Sequence, residues 1–297
     1  MSAPKPAYGG QAVIEGVLIR GKRTLALACR RPDGGIYRYR ETIDSPLQRS
    51  RFARLPFVRG VIVLWESLVH GGRMLMRSAD VQAEGLGEAK PSALSTAATL
   101  AASIAFALVV FVGIPYGSTQ LLRDHASTPV LNLIEGVVQF LLMVLYIWAI
   151  SFMPEIRRVF AYHGAEHMTI HAFEHGDPLD AEHVVRYPTA HPRCGTAFLL
   201  LVASIGVFTA IFMPRILILV DLAARLATVF VVAAVSYEVL RLGAAHERNP
   251  VMRAVVWPGM LLQRITTRQP DAGMIEVAIA SLEEALAGDA ETGTVAA

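Results

Sequence analysis

Residues Leu94 to Leu122 run for twenty-nine positions without a single Asp, Glu, Lys, Arg or His. In water, a helix that is apolar all round has no face to turn outward, whereas about twenty apolar residues in helical form cross the hydrocarbon of a bilayer. The run therefore predicts a membrane span. Three more follow it: Val130 to Met153, apolar apart from Glu135; Thr196 to Met213, closed by Pro214-Arg215; and Ile216 to Leu242, with Asp221 and Arg225 near its start. Composition agrees, with 54% hydrophobic and 18% charged residues, against roughly a quarter charged in soluble domains. That excludes a soluble single domain, and it excludes a disordered chain for the opposite reason to the usual one.

Four spans place both termini on one side, and Lys and Arg choose the side, because they stay in short cytoplasmic loops. Residues 1–93, the 154–195 loop and the tail after Leu240 hold 24 of the 27, while the two opposite loops hold only Arg123 and Arg215. The expected topology is N-in and C-in. A net charge of +2 offers no basic surface for nucleic acid. The two cysteines, Cys29 and Cys194, lie far apart without CxxC spacing, so no disulfide framework is expected, and Cys29 is assigned to the core. The opening residues lack a signal-peptide pattern, so entry into the membrane is expected through internal segments.

Within residues 1–93, Thr24 to Arg31 and Ile36 to Thr42 flank Pro-Asp-Gly-Gly, a β-hairpin signal. The glycine-bounded run 8–21 reads as a strand or tight loop. Phe57 to Met76 is interrupted by Arg59, Glu66, His70 and Arg73, which predicts an amphipathic helix on the membrane surface, ended or kinked at Gly71-Gly72. In the C-terminal region, 243–287, Val255 to Leu262 is a short Pro-Gly-broken segment with Trp257 suited to the interface, and Met274 to Leu286 has helical periodicity for packing on the cytosolic layer. Residues 288–297 read as a disordered tail. The fold class is thus a mainly α integral membrane protein, with transmembrane helices at 94–122, 130–153, 196–213 and 216–242. Its cytosolic α+β layer includes the N-terminal β-hairpin.

Chemistry concentrates in the 154–195 loop. Six of the nine histidines fall between Tyr162 and Thr196, at His163, His167, His171, His175, His183 and His191. On a helix, His163 and His167 are four apart and share a face, the spacing with which two imidazoles grip one metal ion. Glu166 completes H-x-x-E-H, the inverted zincin order, in which the glutamate is general base toward metal-bound water. Glu174 returns to that face seven residues after His167, and His191-Pro-Arg-Cys194 adds an imidazole and a thiolate. Mixed His and Cys ligands suit zinc. Three protein ligands and an open position would make the site catalytic, while four, for example His163, His167, His191 and Cys194, would make it structural.

The segments YGGQAVIEGVLIRG (8–21), YHGAEHMTIHAFEHG (162–176), HPRCGTAFLLLV (191–202), SYEVLRL (236–242) and TTRQPDAGMIEVAIASLEEAL (266–286) resemble the bacterial YqhQ family from Tyr8 to about Leu286. The resemblance implies an integral protein of the bacterial plasma membrane with metal-dependent activity on an unknown substrate. The positions it implicates are Glu15, His163, Glu166, His167, Glu174, His191, Arg193, Cys194 and Glu238. Met168 and Gln269 depart from the family's Lys and Glu, which argues against catalytic roles there. The leading expectation is a zinc hydrolase at the cytosolic face, acting on lipid or peptide, with metal ligands among His163, His167, Glu174, His191 and Cys194. Glu166 is expected as base and Arg193 as the partner of an anionic intermediate. Glu15 and Glu238 are further candidates, and Glu238 with Arg241 either joins the site or forms a local ion pair. Two rivals stand beside it. A transporter or channel would need Glu135, Asp221 and Arg225 to line a polar path rather than close on one another, as Asp221 and Arg225, four apart, could do. A membrane scaffold would use metal only to pin the loop.

Overall fold

The computed structural model describes residues 8–46, 50–88, 92–213, 215, 217–246 and 249–293. The seven opening residues, Pro214 and Ile216 at the expected junction of spans three and four, and residues 294–297 of the expected disordered tail lie outside them. Most of the chain is helical, and its strands form one sheet.

The run 8–21 folds as two strands, so the expected hairpin is half of a four-stranded antiparallel meander: β1 (Gly9–Val13), β2 (Gly16–Arg20), β3 (Thr24–Arg30) and β4 (Ile36–Thr42). Alternation along β2 and β3 feeds both faces of the sheet. Val17, Ile19, Ala26 and Ala28 join a core with Ala165, Met168, Ile275, Ala278 and Leu282, while Val13, Leu18, Leu25 and Leu27 pack with Ile43 and Met74. The helices that supply these partners are α1 (Val58–Gly85), α4 (Pro154–His175) and α9 (Ala272–Glu291). Helix α9 includes Gly288 to Glu291, so the tail is helical four residues further than its composition suggested. Asp289 anchors that end by accepting from Tyr8 Oη at 2.9 Å, Lys22 N at 2.7 Å and Arg23 N at 3.0 Å.

Helix α1 continues through Gly71-Gly72, so the glycine pair does not end it. A Cβ on Gly71 would stand 2.4 Å from the Gln11 side chain, so this glycine admits β1 close to the helix instead of ending it. The first half of α1 leans on α7 (Ile218–Ala245), where Gly60 meets Tyr237. There Glu238 accepts from Arg59 Nε at 2.8 Å and from Phe57 N at 3.1 Å. Large apolar side chains remain exposed along α1, among them Trp65, Leu68, Val69 and Leu75.

Among the described residues, three helices are long and apolar enough to cross a membrane: α2 (Ala93–Gln120, with a π turn at Val109–Gly113), α3 (Thr128–Ile150) and Leu219–Gly243 within α7. Helix α6 (Gly195–Ala210) is apolar but has 16 residues, about 24 Å of rise against the roughly 30 Å of a hydrocarbon core. The expected third span is therefore shorter than its sequence suggested, because the helix stops three residues before Met213. A short α5 (Ala181–Val184) precedes it, and α8 (Pro250–Thr266) follows the spans. Val255 to Leu262 is not broken there, since α8 continues through Pro258.

At the end of the bundle away from the sheet, Asp221 and Arg225 do not simply pair with each other. Arg225 Nη1 meets Glu135 Oε1 at 2.5 Å, and Arg215 pairs with Glu135 Oε2. Arg215 also donates to Asn132 Oδ1 at 2.7 Å and Thr119 Oγ1 at 3.0 Å. Tyr116 Oη lies 3.4 Å from Asp221 Oδ2.

Candidate metal centre

Helix α4 starts at Pro154 and ends on Gly176 in the left-handed conformation, a common C-terminal stop. Between these ends, His163, His167, His171 and Glu174 fall on one face, spaced by four, four and three residues. The segment from Thr189 to Cys194 lies along that face. It is held from behind by Gln263 of α8, fully buried, whose Oε1 accepts from His191 N at 2.8 Å and whose Nε2 donates to His191 O at 2.9 Å.

The three histidines are each fixed by one ring nitrogen on a backbone carbonyl. His163 Nδ1 lies 2.8 Å from Thr266 O, His167 Nδ1 2.6 Å from Thr189 O, and His171 Nε2 3.0 Å from Ala190 O. A carbonyl only accepts, so these nitrogens carry the hydrogens and the lone pairs sit on His163 Nε2, His167 Nε2 and His171 Nδ1. This is the outer-shell arrangement that orients metal-binding imidazoles. Gly164 permits it: the 268 carbonyl packs so close to α4 that a Cβ there would stand 2.2 Å from Arg268 O.

Among the described residues, two groups could each hold a metal ion, with their ligand atoms within 4.8 Å of one another: His163, His167 and Cys194, and His171, Glu174 and His191. In the first, His163 Nε2 and Cys194 Sγ are 3.1 Å apart. Zinc bond lengths imply ligand atoms about 3.3–3.8 Å apart in a tetrahedron, close to the spacing of this group. Cys194 caps the N-terminus of α6 and accepts from Thr196 N at 3.3 Å. Burial lowers the His167 pKa, against the opposing pull of Cys194, and also lowers that of His171, against its carbonyl partner. Both imidazoles are thus kept neutral, the form that binds metal.

In the second group, His191 Nε2 lies 3.4 Å from Glu174 Oε2, while Arg193 pairs with Glu174 Oε1. Burial pushes the Glu174 carboxyl up, but His191 and Arg193 together outweigh it and hold it below the ordinary carboxylate range. Burial lowers the His191 imidazole despite Glu174.

The expected ligands are therefore all on or beside one helix face, but in two groups: Glu174 and His191 stand apart from His163, His167 and Cys194. His171 was missed as a ligand, although its spacing of four from His167 carried the signal. Arg193 is engaged with Glu174. Glu166 is 4% exposed, with Oε1 accepting from Gly10 N at 2.9 Å and Oε2 without a hydrogen-bond partner among the described residues. Burial pushes its carboxyl up to about 7, against the lowering effects of His163 and the Gly10 N–H.

Glu15 and Glu238 lie elsewhere. Glu15 occupies the β1–β2 turn at φ 51, clamped by Arg158, whose Nε donates at 2.6 Å, and by Tyr162 Oη at 3.3 Å. Glu238 spends its carboxylate on Arg59 and the start of α1. Cys29 is buried in β3, and burial pushes its thiol up to about 11, as suits a core residue.

The family described as protein of unknown function DUF1385 matches residues 55–288. The chain belongs to this family. The uncharacterized protein YqhQ of Bacillus subtilis (strain 168) is 34% identical over 294 residues, covering 95% of this chain and 92% of the relative. No solved structure matches. The resemblance of the YqhQ-like segments thus extends to membership, while the DUF1385 description carries no reaction, and function has to be argued from the site.

Proposed function

We propose that this DUF1385 protein is a metal-dependent hydrolase working at the cytosolic face of a membrane, with His163, His167 and Cys194 as the zinc ligands. One observation carries the reading: two imidazole lone pairs and a thiol converge, each imidazole already oriented through its other nitrogen by a backbone carbonyl. Three protein ligands leave a fourth position for water or substrate, the pattern of catalytic rather than structural zinc. Zinc held there would supply Lewis-acid activation of water at neutral pH.

Glu166 would handle the proton. It adjoins His167 in sequence and is buried, with Oε2 without a hydrogen-bond partner among the described residues, and a carboxylate so placed would do general acid–base work. The substrate would be membrane-borne, a lipid or a peptide. Topology is N-in and C-in in this reading, with α6 serving as a short fourth span, so that the centre at the N-terminus of α6 meets the cytosol. The transporter reading finds little support at the other end of the bundle, where Arg215 and Arg225 both close on Glu135.

Two measurements test the proposal. Protein purified in detergent without chelators should retain tightly bound zinc, which His163→Ala and His167→Ala lose; zinc-free wild-type protein that also fails to take zinc up would overturn the metal centre. Cobalt-substituted protein should change its visible spectrum when a hydroxamate, a small metal-binding anion, is added. A spectrum indifferent to excess hydroxamate would overturn the open position and with it the catalytic role.

A further inference from the structure

Beyond the three ligands assigned above, α4 carries a second set of metal-competent atoms that the hydrolase reading leaves unused. His171 is clamped twice, by Ala190 O on Nε2 and by a ring stacked on Tyr187 at 6.0 Å and 7°. Its free Nδ1 is thereby held in one direction. Glu174 returns on the next turn with Oε1 held by Arg193, leaving Oε2 turned toward His191 Nε2. The 3.4 Å between those two atoms is longer than the 2.7–3.2 Å of a well-formed N–H···O bond. It matches instead the spacing of two ligands on one ion, about 3.3–3.5 Å for nitrogen and oxygen at zinc bond lengths.

We infer that His171, Glu174 and His191 form a second divalent-cation site, separate from the His163, His167 and Cys194 centre. The inference extends the metal-centre reading and does not replace any of its ligands. Two imidazoles and a carboxylate without a thiolate suit first-row divalent ions such as Zn2+, Co2+ or Mn2+. Arg193 then becomes the outer partner of a ligating carboxylate, a role that such ligands regularly need filled. Loading has a proton balance. His191 Nδ1 accepts from Arg193 N at 3.3 Å, so Nε2 carries the hydrogen in the metal-free protein. When the cation takes Nε2, that proton passes through solvent to Nδ1, and the long contact to Arg193 N is given up.

The two sites differ in access. His167 and Cys194 are buried, whereas His171 and Glu174 are only partly so. The second ion should therefore exchange with solvent while the first is retained. The groups are neighbours, the His191 ring lying 4.5 Å from that of His171 and 5.7 Å from that of His167, but each has its own three ligand residues. The second ion would fasten the 189–194 segment to α4 from the solvent side, and its departure would loosen the loop that carries Cys194.

Full-length protein in detergent, stripped with chelator and titrated with Co2+, tests this by stoichiometry and by the sulfur-to-cobalt absorption band that only a thiolate site gives. Wild-type protein should bind two equivalents, the first with the band. Cys194→Ser should lose the band and keep one equivalent, and Glu174→Gln and His171→Ala should each keep the band and fall to one. A wild-type stoichiometry of one, with the band intact and insensitive to both His171→Ala and Glu174→Gln, would overturn the second site and leave the first standing. Binding of no cobalt would overturn both. One equivalent that needs residues from both groups would mean a single merged site and would also overturn the inference. Helical circular dichroism on each variant confirms that a lost equivalent is not a lost fold, and the isosteric Glu174→Gln carries the result if His171→Ala fails to fold.

Discussion

Gly164→Ala separates a glycine that would serve the candidate metal centre from one that only serves a helix. The added Cβ would stand 2.2 Å from Arg268 O and 3.3 Å from Thr189 Cγ2. Arg268 O is backbone, fixed through Arg268 N, which donates to Phe160 O at 2.9 Å, so the 266–268 segment must retreat by roughly 1 Å to restore ordinary contact. The Thr266 carbonyl travels with it. Its bond to His163 Nδ1, now 2.8 Å, then passes beyond hydrogen-bond range. Overpacking of this size costs about 1–3 kcal/mol, and loss of an outer-shell partner weakens metal binding by about 10–100-fold. The assay is zinc affinity by chelator competition in detergent, read beside the melting temperature. Gly72→Ala is the control, because nothing lies within 4 Å of its Cβ; it should leave zinc affinity unchanged and stabilise α1 by about 0.5–1 kcal/mol. Gly164→Ala protein with wild-type zinc affinity would refute the reasoning, because it would mean that the Thr266 carbonyl does not orient His163.

Other perturbations follow from the same contacts. Glu166 has a folded pKa of about 7, above its unfolded value, so the native state keeps a proton that the unfolded chain loses. Its contribution to stability is complete below about pH 4.5 and is lost as pH rises through 7, by about 3 kcal/mol at 1.36 kcal/mol per unit. In metal-free protein, Glu166→Gln should flatten the fall in melting temperature between pH 5 and 8, and a fall equal to that of the wild type would contradict the burial argument. Burial works to raise Asp289, but the N–H groups of Arg23 and Lys22, with the Thr24 and Tyr8 hydroxyls, outweigh it and hold the carboxyl low. Its stabilisation is therefore present above the ordinary aspartate pKa and lost only as pH falls through the lower folded value. Asp289→Ala at neutral pH should cost about 2–4 kcal/mol in thermal or denaturant melts. Glu135→Gln leaves two arginines facing a neutral amide inside the bundle, and a loss of about 3–5 kcal/mol is expected; unchanged melting in detergent would mean the cluster is not closed.

The long apolar helices were legible because a bilayer accepts so few sequences: Leu94 to Leu122 has no charged residue to turn toward water. The short α6 was not, because Thr196 to Met213 is apolar to its end, and hydropathy does not mark where a helix unwinds within apolar sequence. Gly71-Gly72 misled for a related reason. A glycine pair is a stop signal when nothing approaches it, but here Gln11 from a strand sixty residues earlier fills the space a Cβ would take. At the candidate metal centre, residue types and helical spacing pointed to His163, His167 and Cys194, which converge across 31 residues of sequence. Spacing also held His171, but the division into two groups depends on where the Thr189, Ala190 and Thr266 carbonyls lie. A backbone carbonyl is the same in every residue, so sequence gives no sign of which ones orient a ring.

The placement of Glu166 ties the sheet to the chemistry. On α4, Tyr162 and Glu166 are one turn apart and turn toward the sheet, where Tyr162 donates to Glu15 and Glu166 accepts from Gly10 N. His163 and His167 follow each of them by one residue and turn toward the 189–194 segment. The repeating pairs Tyr162-His163 and Glu166-His167 thus set a sheet-facing stripe and a candidate metal-facing stripe side by side on α4, about 100° apart around the helix. Gly10 has to be glycine for β1 to pair with β2 as it does, since a Cβ there would stand 1.8 Å from Leu18 O. The Glu15 turn, held at positive φ by Arg158 and Tyr162, fixes the register of β1 against β2 and so the height at which the Gly10 N–H meets Glu166. The YGGQAVIEG and HGAEH segments, some 150 residues apart, are therefore one physical unit. The Gly10 N–H lowers the Glu166 pKa and burial raises it, and strand β1 contributes to both, which gives a sheet distant in sequence direct control over the proton affinity of the residue beside the metal ligands.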